Sequence, residues 1–139
     1  MNIAVRFLSY SGNTKKIAAA IGQAVSAEAL PLERPLEERA DILFLGSSLY
    51  KFGVDPSVRD FIAHNADRIG KIVLFGTSAS GGSTYKQVAE IAAAHGVTLC
   101  EREFACLGKF LFMHKDRPNA DDEASAAAFA REVLQAEGK

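Results

Sequence analysis

Residues 2–14 read NIAVRFLSYSGNT, an apolar run that breaks into hydroxyl-bearing residues, glycine and asparagine. A helical pattern follows at once, with Ile17, Ile21 and Val25 on one face. The amides of such a loop and of the helix N-terminus direct N–H groups at one point, and the helix dipole adds about half a positive charge there. The stretch therefore predicts a buried strand, an anion-binding loop and a helix. The loop comprises Ser9, Tyr10, Ser11, Gly12, Asn13 and Thr14.

The first loop lacks the residues of several other phosphate sites. The chain contains neither the Gly-x-Gly-x-x-Gly fingerprint of dinucleotide folds nor the Gly-x-x-x-x-Gly-Lys-Ser/Thr loop of nucleotide triphosphatases. The loop has no cysteine for a thiolate phosphatase, and the first strand does not end in the aspartate of a phospho-acceptor domain. Between Ser9 and Thr14 there is no lysine or arginine. Neutral donors suit a phosphate that stays bound, because phosphoryl transfer requires charged groups.

Length and composition set the class of protein. The 139 residues predict one domain, 1–139, with a core of its own. The formal net charge of −1 gives no electrostatic footprint for nucleic acid. No apolar run approaches the roughly 20 residues of a membrane span, so we expect no integral membrane segment. The N-terminus shows no export signal, and we expect a cytoplasmic protein.

The two cysteines are interpreted as packing residues. Cys100 and Cys106 have a spacing that fits neither a metal site nor a redox dithiol. Both fall in a predicted strand at even separation, so we expect them on one face of the sheet as small buried apolar side chains.

Strand and helix patterns alternate along the chain. Strands are predicted near residues 3–8, 29–32, 41–46, 71–77 and 97–107. Helices are predicted from Thr14, from Pro56 with Asp55 as cap, from Ser83 or Thr84 to Gly96, and from Asn119 onward. This alternation predicts an α/β protein with a parallel sheet covered by helices on both faces, a three-layer α/β/α sandwich.

Ligands of such sheets bind beyond the carboxyl ends of the strands, where the strand order reverses. Besides the first loop, two further loops leave those ends. The second comprises Ser47, Ser48, Leu49, Tyr50, Lys51, Phe52 and Gly53. The third comprises Thr77, Ser78, Ala79, Ser80, Gly81, Gly82 and Ser83. A phosphate pocket beside a loop with exposed aromatic side chains predicts a ligand with an anionic tail and a flat ring.

Two of these segments resemble a known family. Ser9-x-Ser11-Gly12-Asn13-Thr14 resembles the FMN phosphate loop of flavodoxins, and Gly46-Ser47-Ser48-x-Tyr50-x-x-Gly53 resembles the second flavin loop of short flavodoxin-like proteins. The resemblance in element order covers the whole chain and implies a five-stranded parallel sheet in the order 2-1-3-4-5. It also implies FMN bound noncovalently, with residues 9–14 at the phosphate and residues 47–53 and 77–82 beside the isoalloxazine. Tyr50 or Phe52 would then stack on the ring.

Three functions of different class follow from these residues. We expect an FMN-dependent electron carrier between a reductase and a redox enzyme, because such a carrier needs no catalytic side chains and the sequence suggests none. One alternative is an FMN-dependent oxidoreductase of a flat substrate, a quinone or a protoporphyrinogen. Residues 50–67 resemble bacterial flavodoxin-like protoporphyrinogen dehydrogenases, without their long insertion. The other alternative is a cofactor-free module of the same fold that binds a protein.

Some polar residues have a structural interpretation. Residues 109–118 mix apolar and basic side chains, and we interpret them as a connection packed under the final helix. The alternative is a docking surface for an acidic redox partner, a quinone or a membrane edge. His64 and His95 are expected on helix exteriors, and we predict neither catalytic nor metal-ligating residues.

Overall fold

The computed structural model describes residues 1–49, 53–78, 82–108 and 116–137. Helices and strands alternate: β1 (Ile3–Phe7), α1 (Asn13–Val25), β2 (Ala29–Pro31), β3 (Ala40–Ser48), α2 (Pro56–Asn65), β4 (Ile69–Ser78), α3 (Tyr85–Ala94), β5 (Thr98–Leu107) and α4 (Ala120–Glu137). A 3₁₀ turn at Ala66–Arg68 joins α2 to β4. The described strands form a parallel sheet in the order β2-β1-β3-β4-β5. The predicted fold class and strand order are therefore confirmed.

Each face of the sheet carries its own apolar cluster. In β3, Ile42 and Phe44 pack in the cluster that includes α1 and α4, whereas Leu43 and Leu45 pack in the cluster that includes α2 and α3. All four side chains are almost fully buried, because consecutive residues of a strand point to opposite faces and both faces are covered. This explains the unbroken apolar run that predicted the strand.

Two central strands run further than predicted. β3 extends to Ser48 and β4 to Ser78, where the sequence predicted ends at 46 and 77. Parallel pairing continues through Ser47 with Gly76 and Ser48 with Thr77. Hydroxyl side chains were interpreted as loop signals, but backbone pairing with a neighbour decides where a strand ends. The second and third loops therefore begin later than predicted, since Ser47, Ser48, Thr77 and Ser78 belong to the sheet.

Both cysteines lie on the same face of the sheet, as predicted. Cys100 is buried in the cluster with α1 and α4, and Cys106 packs against the same cluster while half-buried. β5 has an irregularity between them: Ile72 pairs with Leu99, but Leu74 pairs with Glu103. Between these two pairs β4 advances by two residues and β5 by four. Because the two extra residues of β5 are an even number, the side chains after the irregularity still point to the same faces as those before it. Burial raises the pKa of the Cys106 thiol to about 11, so the thiol stays protonated at neutral pH.

Arg6 is a buried cation in β1, only 7% exposed. Its Nε donates to the Arg34 carbonyl at 2.8 Å, and its Nη2 donates to the Pro35 carbonyl at 3.2 Å. A third bond joins Nη1 to the Val5 carbonyl at 3.1 Å. Desolvation lowers the pKa of Arg6 from its ordinary value. The first two bonds attach residues 32–39 to β1. These residues connect β2 to β3 without a helix.

Helix α4 begins at a reciprocal cap. The Oδ1 of Asn119 accepts from the Asp122 N–H at 3.0 Å, and the Oδ2 of Asp122 accepts from the Asn119 N–H at 2.9 Å. Arg117 donates to both carboxylate oxygens of Asp122. Asn119 therefore caps the helix as predicted, and the pair holds the chain in place before α4. The hydrogen bond from Arg117 lowers the pKa of Asp122.

No helix in the described ranges is both long and apolar enough to cross a bilayer.

We expect Asp122→Asn to lower the free energy of unfolding by about 2 kcal/mol at pH 7, because it weakens the cap and the Arg117 contact. A carboxyl whose folded pKa is depressed stabilises the fold above its unfolded pKa of about 3.9, and this stabilisation is lost as the pH falls through the folded value. The difference between wild type and variant in urea unfolding should therefore shrink below about pH 4. Asp121→Asn, an exposed neighbour in the same turn, is the control and should change stability by about 0.5 kcal/mol or less. Equal effects of the two substitutions would contradict the assignment.

Candidate functional site

The first loop turns tightly at Gly12, which precedes α1. Its φ of 91° lies in the left-handed region that favours glycine. The Gly12 N–H donates to Ser9 Oγ at 3.0 Å, and the Gly12 carbonyl accepts from the Lys16 N–H at 3.2 Å. A Cβ at Gly12 would meet no atom of the described residues within 4 Å. Among those residues, the first loop therefore leaves space beside the Gly12 Cα, directly before the helix N-terminus.

The charge around this N-terminus favours an anion. The first turn of α1 holds no acidic residue, and Lys15 and Lys16 are exposed there. Lysines at a helix N-terminus interact unfavourably with the helix dipole. A bound anion would offset this repulsion, because the helix dipole and both ammonium groups attract it.

A ring of three hydroxyls lies beneath the first loop. The Oγ1 of Thr14 is 3.0 Å from Ser48 Oγ and 3.0 Å from Thr77 Oγ1, and these two oxygens are 3.1 Å apart. All three residues are buried, with Thr14 at 0% exposure. The ring joins the start of α1 to the ends of β3 and β4. The ring thus brings together one predicted site residue from each of the three loops.

The second loop is described only at its two ends. Tyr50, Lys51 and Phe52 lie outside the described residues, so the predicted stacking stays a prediction. At the start of the loop, the Leu49 N–H donates to the Thr77 carbonyl at 3.1 Å. The neighbouring Ser47 has a buried Oγ without a hydrogen-bond partner among the described residues.

Gln87 of α3 holds the far end of the second loop. Its Oε1 accepts from the Val54 N–H at 2.8 Å. Gly53 has a φ of 94°, and a Cβ there would overlap the Gln87 amide. The positive φ favours glycine at this position, and the side chain of Gln87 packs against its Cα.

The ends of β4 and β5 meet beside the start of α1. Ser78 Oγ donates to the Gly82 carbonyl at 3.2 Å, and the Ser78 carbonyl accepts from the Gly108 N–H at 3.0 Å. Asn13 is buried beside Gly108, where a Cβ would lie 2.9 Å from the Asn13 Nδ2. Ala79, Ser80 and Gly81 lie outside the described residues, as do 109–115, most of the apolar and basic segment.

Tyr10 connects the first loop to α2. The Tyr10 hydroxyl donates to Asp55 Oδ2 at 2.8 Å, although the residue is 66% exposed. Asp55 caps α2 as predicted, its Oδ1 accepting from the Ser57 N–H at 2.9 Å. The Ser57 amide lowers the pKa of Asp55, and the Tyr10 hydroxyl lowers it further.

The sequence missed two of these contacts. Asp55 was recognised as a helix cap, but its bond to Tyr10 joins residues 45 positions apart and has no local signal. Gln87 lies at an exposed helix position that no motif marks. Among the described residues, His, Cys, Asp and Glu form no cluster that could hold a metal, and His64 and His95 are exposed on helices or at their ends.

Solved structures share this architecture along the entire chain. A flavodoxin from the domain Archaea aligns with a TM-score of 0.80 at 19% identity, covering 100% of both chains. The chain has the flavodoxin fold. Flavodoxin 2 from Bacillus cereus aligns at a TM-score of 0.69 and 17% identity, over 97% of this chain and 99% of that one.

A further flavodoxin-fold match was solved with its ligand. The flavoprotein from Lactobacillus acidophilus, in complex with FMN, aligns at a TM-score of 0.60 and 16% identity, over 76% of this chain and 92% of that one. No family model and no curated protein sequence matches the chain.

The contact between Tyr10 and Asp55 in this flavodoxin fold can be tested by titration. We expect Tyr10→Phe to raise the pKa of Asp55, because one donor to the carboxylate is removed. The pKa should remain below the ordinary value, since the Ser57 amide is the larger cause and is retained. Carbon NMR of the carboxyl group measures the change. Tyr85→Phe, which removes a hydroxyl bound to the Cys100 carbonyl, should leave Asp55 unaffected; an unchanged Asp55 in Tyr10→Phe would refute the contact.

Proposed function

We propose that this protein binds FMN noncovalently at the carboxyl ends of β1, β3 and β4 and carries electrons between a reductase and a redox enzyme. The proposal rests on the structure of the first loop. It combines a left-handed Gly12, open space beside that glycine, and two lysines in the helix turn that follows.

The donors of the first loop fit a phosphate. Ser9 Oγ accepts from the Gly12 N–H and keeps its own proton for a ligand. The amides at the start of α1 have no acceptor within the helix, as is general for helix N-termini. Lys15 and Lys16 balance a dianion without contacting it in a fixed geometry. Such a set holds a phosphate and provides no group that would cleave it.

The ends of the second and third loops fit a flat ring. Gly82 lies at the end of the third loop, and Gly53, packed against the Gln87 amide, lies at the end of the second. Glycine lets a ring approach the backbone closely. With Ser9 to Thr14 at the phosphate, residues 47–53 and 77–82 would border the isoalloxazine.

A bound FMN supplies the electron-transfer chemistry, so the chain itself needs to bind, orient and shield it. The likeness to flavodoxins over the full chain supports a carrier. The FMN complex of a protein with the same fold supports the choice of cofactor.

The proposal is tested by titrating the purified full-length chain with FMN and with riboflavin, following quenching of flavin fluorescence. We expect FMN to bind at least tenfold more tightly, because only FMN has the phosphate for the first loop. Absence of FMN binding would overturn the proposal and leave a cofactor-free binding module. Rapid turnover of a quinone or a protoporphyrinogen without an added reductase would overturn the carrier role in favour of an oxidoreductase.

A matched pair of glycine variants locates the phosphate site. Gly12 and Gly96 both have positive φ, and a Cβ at either position would meet no atom within 4 Å, but Gly96 follows α3 away from the first loop. Gly12→Ala and Gly96→Ala should each lower the free energy of unfolding by about 1 kcal/mol, since both strain the backbone similarly. Only Gly12→Ala should weaken FMN binding, by about tenfold, because its Cβ enters the space assigned to the phosphate. Equal FMN affinity of the two variants would place the phosphate elsewhere.

A further inference from the structure

We propose that Thr77 is a positioning residue that lowers the affinity for the bound phosphate. It acts through a ring of three hydroxyls, which must give up one internal hydrogen bond when one of its members donates to the phosphate. The ring is formed by Thr14, Ser48 and Thr77, and the inference rests on the proposed FMN site. Thr77 lies in β4, outside the phosphate-loop motif of residues 9–14.

The geometry of the ring allows it to satisfy itself. Its three oxygens are 3.0, 3.0 and 3.1 Å apart, so each pair is at hydrogen-bond distance. Each hydroxyl has one proton to donate and can accept up to two bonds. Three protons therefore serve three contacts when each hydroxyl donates to the next around the ring.

A phosphate dianion changes this count, because it only accepts. A ring member that donates to it withdraws its proton, and two protons remain for three contacts. Thr14 is the member suited to turn, since it alone of the three belongs to the first loop, where the phosphate is proposed, and it lies in the first turn of α1. Ser48 then donates to Thr77, and Thr77 donates to Thr14. The contact between Thr14 and Ser48 is left without a proton.

The hydroxyl of Thr77 therefore lowers the affinity for phosphate while it stabilises the ligand-free protein. Without it, Thr14 and Ser48 share one contact and have two protons. Ser48 donates to Thr14, Thr14 donates to the phosphate, and binding breaks no internal hydrogen bond. The effect is specific to a ligand with a phosphate, because riboflavin ends there in a hydroxyl, which can donate as well as accept and so need not withdraw a proton from the ring.

Thr77→Val removes the hydroxyl at nearly constant shape. We expect the Kd for FMN to fall by about three- to tenfold, which is the net worth of one hydrogen bond. The Kd for riboflavin should stay within about twofold, and the melting temperature of the ligand-free protein should fall by about 5 °C. Thr77→Ser retains the hydroxyl and should restore the wild-type values. Thr98→Val, the same change at the exposed start of β5, should alter neither affinity.

The possible results separate this inference from the proposed function. Unchanged or weaker FMN binding by Thr77→Val, or an equal change for FMN and riboflavin, would overturn the role of Thr77 while FMN binding by wild type stands. Wild type that binds FMN no more tightly than riboflavin would overturn the phosphate site itself. Should Thr77→Val fail to fold, Thr77→Ala removes the same hydroxyl, and the same direction of change in FMN affinity is expected.

Discussion

The pairing of β3 with β4 out to Ser48 and Thr77 is the constraint on which the candidate site depends. Parallel strands buried on both faces must pair their backbone groups, and here the pairing continues past the last apolar residues. It carries the hydroxyls of Ser48 and Thr77 into the interior, where they require partners. Thr14 of α1 supplies one for both, so the start of the helix is fixed against the sheet. These contacts thereby fix the position of the end of the loop between β1 and α1.

The same arrangement explains how the site combines rigidity with access. The hydroxyl ring is buried, and Gly53 and Gly108 pack closely against the side chains of Gln87 and Asn13. By contrast, a Cβ on Gly12 would meet no atom of the described residues within 4 Å, and Lys15 and Lys16 are exposed beside it. Fixed backbone beneath an open, positively charged rim is an arrangement that orders a ligand without moving the protein.

The fold was predictable because its signals are local. The run from Ile42 to Leu45 marks a strand buried on both faces, and Asp55 before Pro56 marks the start of a helix. The strand order came from the resemblance in the loops rather than from composition. The ends of β3 and β4 were misplaced because Ser47, Ser48 and Ser78 look like loop residues until the neighbouring strand is known. Contacts such as Tyr10 with Asp55 and Gln87 with Val54 join distant parts of the chain, so no window of sequence reveals them.

The buried guanidinium of Arg6 has a consequence for temperature. Apolar burial weakens on cooling, because its driving force near room temperature is entropic. The connection between β2 and β3 has no helix, and it is attached both by the buried Leu36 and by the bonds from Arg6 to the carbonyls of Arg34 and Pro35. Hydrogen bonds do not share that temperature dependence. At low temperature the bonds from Arg6 should therefore account for a larger share of the attachment of this connection than they do in the warm protein.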